Sequence, residues 1–202
     1  EFSLEFGSHW YEDPDKYRNM DYFDANIDSL YDEIERSTET FIDHYYDNYS
    51  NPANPPAWMS LEVASLGLLS KLYSNLNNYS PKQKVSSEFG LSRPNLLSSW
   101  IHAFVNLRNL CAHYSRIWNR RFTITPIIPY NTINPFLTNL EIDSNKLYAQ
   151  LSCIIYILKI ISPYNNFVST LKDLFTRSNL VKLDEMGFPE NWEDEEIWKT
   201  EN

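Results

Sequence analysis

Proline sets the first limits on this fold. The stretch "TITPIIPYNTINPF" holds Pro126, Pro129 and Pro135. Each removes a backbone donor and crowds the preceding turn, so the stretch cannot be helix interior and reads as an extended connection. "NPANPPAW", residues 51–58, is a second such interruption. Elsewhere apolar residues recur at helical spacing, and no alternating pattern of strand length occurs. Ile27, Leu30, Ile34, Phe41, Ile42, Tyr45 and Tyr49 predict one amphipathic helix over residues 22–49. Leu61, Leu68, Leu69, Leu72 and Leu76 predict a second. Ser80 and Pro81 read as an N-cap and first helical residue, and Gly90 as the stop of a short helix. Further helices are expected from residues 92–95 to about 118, over 144–162, and over 163–177. The fold class is all-α, an antiparallel helical bundle with an extended proline-rich connection after the helix ending near Trp118. A helical domain over residues 1–180 and an acidic C-terminal appendage over 181–202 are expected, with Trp192 and Trp198 packing back onto the body.

At 202 residues and 43% hydrophobic content, the chain has enough apolar surface for a packed core. The most apolar stretch, "AQLSCIIYILKIIS", is too short to span a bilayer and contains Lys159, so it predicts a buried helix. No basic segment followed by an apolar one opens the sequence, and the expected location is cytoplasmic, without membrane attachment. Cys111 and Cys153 both fall in apolar helical patterns and are expected in the core. Glycine-rich phosphate loops, H-E-x-x-H, paired-cysteine metal patterns and G-x-S-x-G are all missing from the sequence, so no cofactor and no metal ligand set is expected.

The formal net charge is −10, yet no acidic residue lies between Glu88 and Glu141. Within that span "LRNLCAHYSRIWNRRF" gathers Arg108, His113, Arg116, Arg120 and Arg121. On a helix at roughly 100° per residue, Phe104, Leu107, Leu110, Cys111, Tyr114 and Trp118 would face the core. Asn109, His113, Arg116 and Arg120 would share a sector of roughly 60°, with Arg108 at its flank. Cations crowded around an imidazole repel one another, and a bound phosphate relieves that repulsion. Glu62 is expected on the second helix, either pairing with Arg108 or capping the first turn. His44 and His102 are expected to be structural.

"RNLCAH" fits R-x4-H, the signature of HEPN-type ribonucleases, and "SWIHAFVNLRNLCAHYSRIWNRRF" resembles the core of the Abi-like abortive-infection family, the AbiD and AbiF group. Trp100, Arg108, Asn109, Cys111, Ala112, His113, Arg116, Trp118 and Asn119 fall where that family has them. "PPAWMSLEVASLGLLSKLYSNL" and "IERSTETFIDHYY" also resemble family segments, so the likeness covers roughly residues 8–125. Family members have a further helical segment before the position of "FGSHWYEDP", and "EFSLEFG" reads as the middle of a helix, so an N-terminal part of the family's domain is expected upstream of this chain.

The resemblance implies a HEPN-like fold and metal-independent endoribonuclease activity, in a toxin restrained by a cognate antitoxin that is a protein or a small structured RNA. Arg108 and His113 would be catalytic, Asn109 would orient His113 or contact ribose, and Arg116, Asn119, Arg120 and Arg121 would bind RNA. The chemistry is consistent. A guanidinium fork matches phosphate oxygens, and imidazole changes charge near neutral pH. Attack by a 2′-hydroxyl needs both a base and an acid, so one histidine per chain predicts a two-fold homodimer with both copies lining one cleft. Two other readings remain: a non-catalytic helical module that holds a structured RNA, and a purely structural interaction domain.

Overall fold

The periodic segments are helical, and the all-α class holds. In the computed structural model the described residues, 1–177 and 180–200, form nine α-helices and several short 3₁₀ turns, and no β-strand occurs among them. None of these helices is long and apolar enough to cross a membrane. The chain divides into two compact units, Glu1–Val85 and Ser86–Asn202.

The first unit contains α1 (Phe2–Phe6), α2 (Met20–Glu35), α3 (Thr40–Asn48), α4 (Ala57–Ser60), α5 (Leu66–Asn75) and the first part of α6 (Ser80–Glu88). Its core forms where α2, through Phe23, Ile27, Leu30 and Ile34, meets α5, through Leu68 and Leu72. The single helix expected over residues 22–49 is two helices. Between them Ser37 Oγ accepts the Glu39 N–H at 3.2 Å, a local bond that competes with helical pairing. Tyr49 then lies outside α3 and is exposed. The second expected helix also starts late, because Ser65 caps α5 by accepting the Leu68 N–H at 3.3 Å. Leu61 and Glu62 therefore precede α5 in a turn, and Glu62 caps nothing in its first turn.

The proline-rich turn ahead of α4 is held by side chains from the segment after α1. Tyr11 donates to Pro55 O at 2.7 Å, His9 Nε2 lies 2.9 Å from Asn54 O, and the Asn54 amide donates to Glu12 at 2.8 Å. Prolines lack donors, so their carbonyls need partners from elsewhere when buried.

The second unit is organised around α8 (Leu147–Ile161), which buries every residue from Leu147 to Cys153 as well as Ile155 and Tyr156. A helix apolar on nearly all sides must be enclosed, and three segments enclose it. First, α7 (Pro94–Ala112) packs against it with Leu96, Leu97, Trp100, Ala103 and Leu107 buried. Second, the proline-rich connection runs extended, as expected, with its backbone satisfied by side chains. Trp100 Nε1 donates to Ile127 O at 2.8 Å, Ser99 Oγ accepts the Ile127 N–H at 2.9 Å, and Gln150 donates to Ile124 O at 3.0 Å. Third, the acidic C-terminal segment supplies Trp192 and Trp198, both buried. Trp198 stacks on Tyr148 with centroids 5.6 Å apart, and the buried Glu195 accepts from Thr138 N, Thr138 Oγ1 and Asn139 N. The helix expected from residue 163 begins later, as α9 (Phe167–Thr176).

Lys82 is an unusual core residue, 2% exposed, with its ammonium donating to Leu76 O at 2.7 Å. Burial, aided by the charge of Arg18, lowers its pKa from 10.5 to about 8. Between those values the unfolded chain binds more protons at this site than the folded chain, so its contribution to stability rises with pH across that window. In denaturant titrations at about pH 7.5 and about pH 9.5, the wild type should gain stability relative to Lys82→Met as pH rises. A constant difference between the two proteins would contradict this assignment.

Candidate functional site

Leu107 is the last fully buried residue of α7, and beyond it the helix stops sooner than its sequence pattern predicts. The last helical residue is Ala112 and His113 is the C-cap. Tyr114 then takes a left-handed conformation, φ 52°, while its N–H donates to Cys111 O at 3.0 Å and the Ser115 N–H donates to Leu110 O at 2.9 Å. This is the Schellman arrangement, which satisfies carbonyls left over at a helix end.

The early stop corrects several expectations. Tyr114 and Trp118 do not face the core and are exposed, Tyr114 at 98%; Cys111, still within α7, is exposed as well instead of lying in the core. Arg116 and Arg120 do not share a helix face with Asn109 and His113, because they follow α7 on a loop, where Arg120 donates to Arg116 O at 3.4 Å. Cys153 is buried as expected, and burial pushes its thiol pKa well up.

Arg108 and Asn109 are exposed on the last turns of α7. The Asn109 side-chain oxygen accepts from the Arg108 guanidinium at 3.1 Å, while its backbone carbonyl accepts the His113 N–H at 3.0 Å. Asn109 thus touches both residues of the R-x4-H motif, one through each kind of oxygen. His113 is also exposed. Among the described residues its ring has no hydrogen-bond partner, and Arg108, Arg116 and Arg120 form no ion pair with a carboxylate.

The far end of the loop is pinned. Asn119, also left-handed at φ 46°, donates its amide to Glu185 at 2.6 Å and accepts from Lys146 Nζ at 3.1 Å. Phe122 is buried, and its N–H donates to Asn145 O at 2.8 Å. Arg121 pairs with Asp143 at 3.2 Å. The Asp143 carboxyl is held below its ordinary range, first by the side-chain amide and backbone N–H of Asn145, then by the charges of Arg121 and Lys146. Tertiary structure thus brings carboxylates to Asn119 and Arg121 that the acid-free span lacks. It leaves Arg108, His113, Arg116 and Arg120 open.

Glu62 and Arg108 fall in different units. Glu62 lines a groove of about 660 Å³ in the first unit, with Glu33, Arg36, Glu39 and Phe41. His102 is exposed on α7, and His44 is exposed with Nδ1 3.2 Å from the Asn48 amide.

An all-α chain that displays arginine, asparagine and histidine at one helix end is the class that fold and site define. The chain belongs to the Abi-like protein family, whose model matches residues 1–119. The match takes in the first unit, α7 and the turn after it, ending at Asn119, and the family is linked to abortive infection. No curated protein and no solved structure matches the chain.

A tyrosine in the left-handed region is strained relative to glycine, and this one has almost no packing to lose. Tyr114→Gly should therefore raise stability by about 0.5–1 kcal/mol in denaturant unfolding. A loss of that size would show that the exposed ring supports the fold.

Proposed function

We propose that this chain is the metal-independent endoribonuclease toxin of an abortive-infection or toxin–antitoxin defence system, with Arg108 and His113 as its catalytic residues. The observation that supports this reading is that Arg108 and His113, exposed at the end of α7 and both bonded to Asn109, meet no carboxylate among the described residues. Burial or ion pairing would have made either residue structural.

The reaction needs no water. One imidazole takes the proton from a ribose 2′-hydroxyl as that oxygen attacks the adjacent phosphorus. The bond to the 5′ oxygen breaks, and a second imidazole, as imidazolium, protonates the leaving oxygen. Arg108 stabilises the charge building on the non-bridging oxygens. The products are a 2′,3′-cyclic phosphate and a 5′-hydroxyl. One chain supplies one such imidazole, and its exposure leaves it fully hydrated. A two-fold homodimer that faces two copies of the turn across one cleft supplies the second imidazole and excludes water. Asn109, bonded to both motif residues, fixes their relative position. Arg116 and Arg120 hold the RNA backbone, while Arg121, expected to do the same but paired with Asp143, joins Asn119 in keeping the loop in place. A cognate antitoxin, protein or small structured RNA, restrains the toxin by covering the turn.

The test is cleavage of a mixed-sequence RNA in excess EDTA, with Arg108→Ala and His113→Ala in parallel. Cleavage to 2′,3′-cyclic phosphate ends, reduced by at least about 10²-fold in either variant, is the expected result. Specific activity should fall on dilution through the dimer's dissociation range. Tight RNA binding that survives His113→Ala, with no cleavage by the wild type, would replace the nuclease by a non-catalytic RNA-binding module.

A further inference from the structure

The second unit closes two helices with the same pair of backward hydrogen bonds. At the end of α6, Gly90 N–H donates to Ser87 O at 2.8 Å and Leu91 N–H to Ser86 O at 3.0 Å, with Gly90 left-handed at φ 67°. A side chain does not fit there, since a Cβ on Gly90 would clash with the Tyr156 hydroxyl. At the end of α7 the equivalent position is Tyr114, φ 52° and 98% exposed. Neither backbone preference nor burial accounts for a large aromatic ring at this place. Its surroundings give it a use. His113 precedes it, Arg116 follows two positions on, and Trp118, 39% exposed, shares the loop. Both ends of the loop are fixed, one by the helix closure and the other by Asn119 and Phe122.

Resting on the ribonuclease reading of the same turn, we propose that Tyr114 is a base-stacking residue that selects unpaired RNA. Its ring takes the face of one base next to the bond that is cut, while the neighbouring cations hold the flanking phosphates. An exposed aromatic ring among cations suits this ligand, since every base offers a π face and every linkage a negative charge. Bases in a duplex are already stacked on one another and hidden from such a ring, so the contact discriminates by strandedness and tolerates any sequence. The left-handed Tyr114 follows the C-cap His113 directly and stands 98% exposed where the helix ends.

The test uses the full chain and a short fluorescent RNA of mixed sequence, 2′-O-methylated so that it cannot be cut by 2′-hydroxyl attack. It is offered single-stranded and annealed to its complement. Tyr114→Gly keeps the left-handed turn and removes the ring; Tyr114→Phe keeps the ring. Tyr114→Gly should weaken single-strand binding by about 10-fold, leaving duplex binding unchanged, and Tyr114→Phe should bind within about 2-fold of wild type. Sedimentation is run on the same samples. Single-strand binding by Tyr114→Gly equal to that of wild type would overturn the proposal. So would a loss that tracks dissociation of a dimer, which would make the ring an interface residue. Because this RNA is uncut, the result is separable from catalysis. A wild type that binds through Tyr114 yet cleaves nothing refutes the nuclease and keeps the stacking residue. A wild type that cleaves, with Tyr114→Gly binding as wild type, does the reverse.

Discussion

Two backbone hydrogen bonds, Tyr114 N–H to Cys111 O and Ser115 N–H to Leu110 O, determine what the motif can be. They end α7 at Ala112, with His113 as its C-cap, and the residues from Tyr114 onward leave the helix. Had the helix continued, Tyr114 and Trp118 would have been drawn toward the apolar face and the arginines spread along a solvated stripe. Instead the chain leaves the helix, Tyr114 and Trp118 are exposed, and Arg116, Arg120 and Arg121 follow on a short loop with its far end tied to Lys146 and Glu185. The buried face of α7 makes this closure possible. Leu96, Leu97, Trp100, Ala103 and Leu107 fix the helix against α8, so its end is displayed from a rigid base.

Much of the fold was legible in the sequence, for reasons tied to particular residues. The prolines at 126, 129 and 135 made the connection extended wherever it packed, and α7 begins at Pro94, within the span 92–95 where a helix start was expected. Gly90 announced a left-handed turn because glycine favours one. Tyr114 adopts the same turn with no such signal, and that one residue accounts for the misplacing of Trp118, Arg116 and Arg120. The division of α2 from α3 rests on the Ser37 hydroxyl competing for a backbone donor, an outcome that apolar spacing does not register. Asn119 was legible as part of the motif; its bonds to Lys146 and Glu185 were not, since they join residues 27 and 66 positions apart.

The charge pattern that first marked the site gains meaning from the structure. The chain is acidic overall, and tertiary contacts bring Asp143 and Glu185 to the far end of the cationic loop. That end is stabilised and held. The near end, with Arg108 and His113, receives no such neighbour among the described residues, and the Arg108 guanidinium stays available for an anion. In the proposed function this division separates anchoring from chemistry along fewer than twenty residues.

The measurement that bears most directly on this account is cleavage, in EDTA, of an RNA carrying a single 2′-deoxynucleotide immediately 5′ to a mapped cut. If Arg108 and His113 promote attack by the 2′-hydroxyl, that bond should survive while other sites in the same strand are cut at their usual rates. Continued cutting at the deoxy position would mean that external water is the nucleophile, and would contradict the role assigned to the turn.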